Sequence, residues 1–335
     1  MRFRAQVQKT GGRLHTLELG ARAPSGSSLS IDIGWIGSET PQTVLLHSSG
    51  IHGVEGFAGS AIQLQLLDRL PSLSNDTALI LAHVLNPFGM AWLRRTNENN
   101  VDLNRNFLSD GQYSGCPPNY SRVDSFLSPK TQPNHDFFLM KTAGMIRRFG
   151  LRPLVQAIGG GQYEYPQGLF FGGKKLEEGP SKYHAFLSQH LPGAQRVLAI
   201  DVHTGLGRFG RDLLIVEGLH YDHLRRIFGK RVIRSEPKHG PVYRIRGGLH
   251  NLLSNAMPAA DFHFLAQEFG TYNPIKVLHR LREENRWHHF GPGSLDHSTK
   301  RALRDTFCPA SKQWRERVLS RGRAVVELGL ETLRR

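Results

Sequence analysis

The feature that most restricts this chain is a recurring junction, a short apolar, β-branched run that stops abruptly in small or polar residues. TVLLHSSG (43–50), TALILAHVL (77–85), VLAIDVHTG (197–205) and DLLIVEG (212–218) all have it, and ADFHFLAQEFG (260–270) is a less regular fifth. Uninterrupted apolar runs this short read as buried strands. Weaker strand signals lie around Leu14–Leu19 and Leu29–Ile36. Between the runs, GVEGFAGSAIQLQLLDRL, closed by Pro71, reads as a helix. NHDFFLMKTAGMIRRFG, PIKVLHRLREENRWHHFG and residues 312–334 read the same way. Strands separated by helices predict an α/β sheet with helices packed on it. Residues 86–129, rich in Asn, Arg, Gly, Ser and Pro, read as a long ordered loop, the kind that usually carries function.

Size and composition agree with one such body. The 335 residues are 39% hydrophobic, with 18 Phe, 8 Tyr and 4 Trp. A chain of this length buries roughly 75% of the surface its unfolded form exposes, so it needs neither disulfides nor a structural metal to fold. Only Cys116 and Cys308 occur, which excludes a disulfide scaffold and a four-cysteine zinc module. No apolar run approaches the roughly 18 residues of a spanning helix, and none follows the basic start. A protein of the reducing cytoplasm, with no membrane partner, is the expectation. Net charge is +15, and within residues 300–335 ten Lys or Arg face four Asp or Glu. Such a surplus permits polyanion binding and attracts anionic small substrates. No RNP-like aromatic pair, helix-turn-helix or zinc-finger spacing accompanies it, so a solvated basic face and no nucleic acid are expected. With no repeat or Pro-rich linker, residues 1–335 read as a single catalytic domain. It carries a short N-terminal β segment (about 1–40) and a basic C-terminal helical extension (about 296–335).

In an open α/β sheet, ligands gather beyond the carboxyl ends of the strands. Here HSSGIHGVEG, DVHTG and QEFG occupy those places. His52 and Glu55, spaced H-x-x-E, let an imidazole and a carboxylate converge on one ion, and His203 is the natural third ligand of a catalytic zinc. Asp201, two residues before His203, is placed to orient it. Taken singly these residues carry little: with 17 histidines a four-residue pattern arises by chance. Glu55 also suits a helix N-terminus, and His203 also suits a turn.

Together, HGVE, NPFG, VDLNRNF, DVHTG and the late EFGT resemble, in order and spread over roughly residues 43–290, the zinc carboxypeptidase superfamily. That superfamily includes the carboxypeptidase A-like enzymes and the succinylglutamate desuccinylase and aspartoacylase group. The combination of DVHTGLG, GLFFGG and EFGTYNP is most similar to a bacterial branch catalogued only as a domain of unknown function. The resemblance implies a central mixed β-sheet flanked by helices in a three-layer α/β/α domain. It implies one zinc per chain on His52, Glu55 and His203, with Glu268 as general base. Arg95, rather than its neighbour Arg94, falls where the family polarises the scissile carbonyl. Asn104 and Arg105 fall where it grips a substrate carboxylate, while Asp102 shapes that loop or backs a zinc histidine. Tyr243 and Tyr272 are candidates for the tyrosine that folds over substrate, or ordinary packing residues.

The chemistry has its own logic. Amide hydrolysis needs a water made acidic by zinc, a carboxylate to take its proton, and a cation for the oxyanion. The resulting expectation is a metallocarboxypeptidase-like hydrolase cutting an amide or peptide bond beside a free carboxylate. The alternative is an N-acyl amino acid deacylase. The glycine- and aromatic-rich residues 159–181 fit equally a rim over the cleft, carrying Tyr163, Tyr165, Phe170 and Phe171, or turns that return those rings to the core. His288 and His289, with no ligand partner nearby, read as helix-end caps.

Overall fold

The computed structural model describes residues 2–109, 111–216, 220–235 and 244–334. Its strands are β1 (Arg13–Arg22), β2 (Ser28–Gly37), β3 (Thr43–Ser49), β4 (Thr77–His83), β5 (Arg196–Gly205), β6 (Asp212–Val216), β7 (Val232–Arg234) and β8 (Asp261–Gly270). They form one sheet in the order β1-β2-β4-β3-β5-β8-β6-β7. The centre, β4-β3-β5-β8, is parallel. β1 and β2 join one side as antiparallel strands, and β6 joins the other.

Among the described residues the helices are α1 (Arg2–Lys9), α2 (Gly56–Asp68), α3 (Pro87–Ala91), α4 (Tyr120–Leu127), α5 (Phe138–Phe149), α6 (Leu151–Gly159), α7 (Glu178–His190), α8 (Tyr221–Phe228), α9 (Leu249–Ala256), α10 (Pro274–Phe290), α11 (Ser298–Phe307) and α12 (Lys312–Leu333). Side chains alternate along the central strands. Leu45, Leu79, Leu198 and Ile200 join a core under α1, α2, α8 and α12, while Val44, Leu46, Ile80 and Val197 join one under α7 and α9. Burial on both faces is why these strands read as unbroken apolar runs. The result is the expected three-layer α/β/α arrangement. α12 packs on α2, β3 and β5, within the outer layer.

A third apolar cluster gathers α4, α5, α6, α10 and α11 beside the carboxyl ends of the central strands. Val54 joins it just after β3, and Phe307 lies against Gly205 at the end of β5. This cluster walls the site. The stretch expected to be a loop, 86–129, contains α3, α4 and a single turn of tight helix at Leu103–Arg105. These pieces are too short for a periodic signal, and α3 and the tight turn are held by side-chain caps: Gly89 N donates to Asn86 Oδ1 at 2.8 Å and Asn104 N to Asp102 Oδ1 at 3.1 Å.

The basic surplus is not all solvated, which corrects the expectation from charge alone. Arg94, Arg105, Arg282, Arg286 and Lys300 are fully buried. Glu284 accepts from Arg94 Nε at 3.0 Å and Lys300 Nζ at 2.6 Å. Glu283 accepts from Arg282 and Arg286 at 2.7 and 3.0 Å. Arg94–Glu284 and Arg282–Asp136 knit α10 to the 86–136 segment, and Lys300–Glu284 knits it to α11.

Candidate metal centre and active site

The sheet places the polar residues by register. β3 and β5 are parallel with Ser48 beside Asp201, and β5 and β8 are parallel with His203 directly beside Glu268. Past β3 the chain turns at Gly50, whose φ of +65° suits glycine, and returns through His52 to a tight turn, Gly53–Glu55. Gly53 sits against the backbone of Gly89: a Cβ there would lie 2.1 Å from Gly89 C. The two segments also share backbone bonds, Gly53 N to Arg95 O at 3.1 Å and Val54 N to Arg94 O at 2.8 Å. The turn carrying His52 and Glu55 and the segment carrying Arg95 are thereby one rigid piece.

His52, Glu55 and His203 are buried and offer ligand atoms all within 4.8 Å of one another. His52 Nδ1 and His203 Nδ1 stand 3.3 Å apart. Two nitrogens at about 2.0–2.1 Å from one tetrahedral zinc would stand about 3.3–3.4 Å apart, so the spacing fits such an ion. Glu55 completes the set, with Oε1 at 3.0 Å from His52 Nδ1 and Oε2 at 3.4 Å from His203 Nδ1. Behind each imidazole is a carboxylate: Asp102 Oδ1 at 3.0 Å from His52 Nε2, and Asp201 Oδ2 at 2.7 Å from His203 Nε2. At His203 this backing fixes ring orientation and the tautomer that presents Nδ1, while His52 Nε2 also stands 2.8 Å from Arg95 Nη2. Asp201 is itself held by Ser48, whose Oγ donates at 2.6 Å. Sequence reasoning missed Ser48; the signal was its place in HSSG, level with Asp201 once β3 and β5 are paired.

Arg95 donates from Nε to Asp102 Oδ2 at 3.0 Å and from Nη1 to Glu55 Oε1 at 2.9 Å. Its guanidinium lies over the Phe170 ring at 5.3 Å, so of the four aromatic rim candidates Phe170 lines the cleft while Tyr163 and Phe171 are core residues. Arg94 faces away, into the Glu284 pair. Asn104 and Arg105 both line the cavity. Three of Arg105's five N–H donors are turned on backbone carbonyls, two on Gly159 O at 2.9 and 2.7 Å and one on Asn104 O at 2.8 Å. Asn104 Oδ1 accepts from Leu249 N at 3.0 Å. Tyr272 stands outside the cavity wall, beneath Lys276 Nζ at 3.4 Å and beside Phe209. Tyr243 lies outside the described residues.

The electrostatics divide the carboxylates. Burial pushes Glu55 and Asp102 upward, but the adjoining His52 and Arg95 outweigh it and hold both below the ordinary carboxylate range. Burial lowers His203, yet Asp201 and Glu55 outweigh it and raise it well above the ordinary imidazole value. Glu268 goes the other way: burial first, then the charge of Glu55, push it up to about 7. Its Oε1 accepts from Leu206 N at 2.8 Å, which fixes the carboxyl at the cavity edge. A carboxyl set apart from its neighbours in this manner is poised to exchange protons near neutrality.

All these residues open into a cavity of ≈ 420 Å³ whose remaining wall comes mainly from α6, α10 and the inner face of β8. A second donor set, His220, Asp261 and His263, lies on the opposite face of β8 with two of its three residues exposed. His288 and His289 lie in the last turn of α10, where the C-cap contact is made by Gly291 N–H on Trp287 O.

With the geometry in place, comparison with known families decides the kinship. The model of the family described as "Protein of unknown function (DUF2817)" matches residues 1–321. The chain belongs to that family. It is the uncharacterised branch to which the motifs pointed. No curated protein sequence matches the chain. Among solved structures, it is similar to carboxypeptidase A from Helicoverpa armigera (16% identity, 92% of this chain and 72% of that one, TM-score 0.45). It is also similar to the murein-tripeptide amidase MpaA from Escherichia coli O157 (16%, 82% and 92%, TM-score 0.39). A succinylglutamate desuccinylase from Silicibacter sp. TM1040 is similar too (13%, 84% and 67%, TM-score 0.38). No helix among the described residues is long and apolar enough to cross a membrane.

Proposed function

We propose that this DUF2817 member is a zinc-dependent amide hydrolase, and that it removes the acyl group of N-acyl amino acids. The observation that carries the hydrolase reading is the meeting of three buried metal donors with a neighbouring carboxyl raised to about 7. His52, Glu55 and His203 would hold the ion, which when bound supplies Lewis acidity toward water and a carbonyl. Glu268 takes the proton of the attacking water and returns it to the departing nitrogen. Arg95, fixed by Asp102 and stacked on Phe170, presents positive charge where the oxyanion develops. Asn104 and Arg105 form the pole for a substrate carboxylate, a role eased by the preorganised plane of Arg105.

Deacylation is favoured over carboxypeptidase action by the cavity wall. A peptide brings hydrogen-bonding backbone to every position, and burying it unpaired is costly. Beyond the polar pole the side chains here are chiefly Val, Ile, Leu and Phe. The test compares three substrates with the zinc-loaded protein: an N-acyl amino acid, the same compound amidated at its carboxylate, and a C-terminally free peptide. Preferred hydrolysis of the first is expected. Preference for the free peptide would restore the carboxypeptidase reading, and equal acid and amide rates would remove the carboxylate pole.

A further inference from the structure

The cavity runs from the metal donors to a mouth at the start of α6, where Leu151 and Arg152 both line it and are exposed. Between donors and mouth the wall is made by Val155 and Ile158 of α6, Leu278 and Leu281 of α10, and Phe307 of α11. The amide on this wall, Gln156, is already committed: its Nε2 donates to Arg244 O at 2.9 Å and its Oε1 accepts from Arg244 N at 3.0 Å. Such a channel offers a chain mainly dispersion and release from water, with Arg152, Ser235 and His250 as further polar lining.

The surface of α5, the helix that leads into α6, is unusual in the same sense. Among the described residues seven large apolar side chains are exposed, and four of them, Phe137, Leu139, Met140 and Leu151, fall within residues 137–151. Each is 58–72% exposed. Lys141, Arg147, Arg148 and Arg152 are interspersed with them, and no acidic residue occurs between Asp136 and Glu164. Exposed apolar groups alternating with bases on a short helical pair are the composition of an element that lies in the interface of an anionic lipid layer. A second copy of the chain fits this face poorly, because a symmetric contact would set these bases against themselves in a protein already at +15.

We infer that the amide substrate carries a long aliphatic acyl chain, and that α5 and α6 rest on an anionic lipid surface from which the chain slides past Leu151 into the cavity. The inference rests on reading the site as an amide hydrolase. It also revises the expectation of no membrane partner: lying on a surface asks for a few apolar side chains and bases, not for a spanning helix.

The experiment uses the zinc-loaded full chain and N-acyl glycine, leucine and glutamate with acyl lengths of C2, C4, C8 and C12. kcat/KM should rise roughly fourfold for each methylene that enters the cavity, the ratio given by ~0.8 kcal/mol per buried CH2. Calorimetric binding of the same series to Glu268→Gln repeats the test without turnover. In parallel, the double variant Leu139→Asp, Met140→Asp is compared with wild type on vesicles of phosphatidylcholine with or without one quarter phosphatidylglycerol. Wild type should sediment with the anionic vesicles and be released by salt. The variant should stay in solution, lose most activity on vesicle-borne C12 substrate, and keep its rate on soluble C4 substrate. Equal rates and affinities for C2 and C12 would overturn the acyl-chain inference while leaving the hydrolase reading intact. Chain-length-dependent binding with no hydrolysis by wild type would do the reverse. Failure to bind anionic vesicles, or a dimer that Leu139→Asp, Met140→Asp dissociates, would overturn the lipid-surface inference.

Discussion

Glu268→Gln should make the metal-free protein more stable and the enzyme nearly inactive. The carboxyl is moved from 4.5 to about 7 by burial and by the charge of Glu55. A raised folded-state value means that the native protein holds its proton after the unfolded chain has lost it, so stability falls as pH rises from 4.5 to about 7 and then levels. At about 1.4 kcal/mol per pH unit, that interval is worth ~3 kcal/mol. Glutamine keeps the size of the side chain and the acceptor for Leu206 N–H, and carries no charge to desolvate. With an unfolding entropy of roughly 2.1 cal/mol/K per residue, ~3 kcal/mol in a chain of 335 residues is a rise in Tm of about 4 °C. Thermal unfolding of chelator-treated wild type and variant at pH 8 and pH 5 reads it directly: a gain near that size at pH 8, little at pH 5. Turnover of the zinc-loaded variant should drop by about two to four powers of ten, as for a lost general base. Equal stabilities at pH 8 would refute the account of a charge destabilised by Glu55, and near-normal turnover would require another base.

The metal set predicts that His203→Ala reduces stoichiometric zinc by metal analysis. Affinity in the wild type should weaken as pH falls, because a proton and a cation compete for His203 Nδ1. Arg95→Ala should lower kcat more than it raises KM, since its best contact forms in the transition state, whereas Arg105→Ala should raise KM for substrates with a free carboxylate; steady-state kinetics on matched acid and amide substrates separates them. Glu284→Ala leaves the buried Arg94 and Lys300 without their shared counter-charge and should cost about 3–5 kcal/mol by denaturant unfolding.

The buried central strands and their polar ends were legible because strands buried on both faces are unbroken apolar runs, and because ligand-bearing turns follow them directly. Asp201 could be read as a partner of His203 from their spacing along one strand. Other features required three dimensions. Ser48 meets Asp201 only through strand pairing across 153 positions. α10 gave a helix signal, yet its REENR stretch reads as surface, while the structure buries it by pairing Arg282 with Asp136 and Glu284 with Arg94, both distant in sequence, and Glu283 with its own neighbours Arg282 and Arg286. The cavity wall combines α6, α10 and α11, which no local pattern joins. Phe170 looked like any other aromatic of its block, and its φ of +59° is set by the fold around it.

The contact of Gly53 with Gly89 has a consequence for how this catalyst can be regulated. Backbone pressed on backbone leaves no hinge between His52, Glu55 and Arg95, so these three cannot be detuned one at a time by a distant effector. The reacting end behaves as an anvil. Whatever throttles the enzyme must act by admitting or refusing substrate at the α6 side, and drift in specificity can proceed there without disturbing the chemistry.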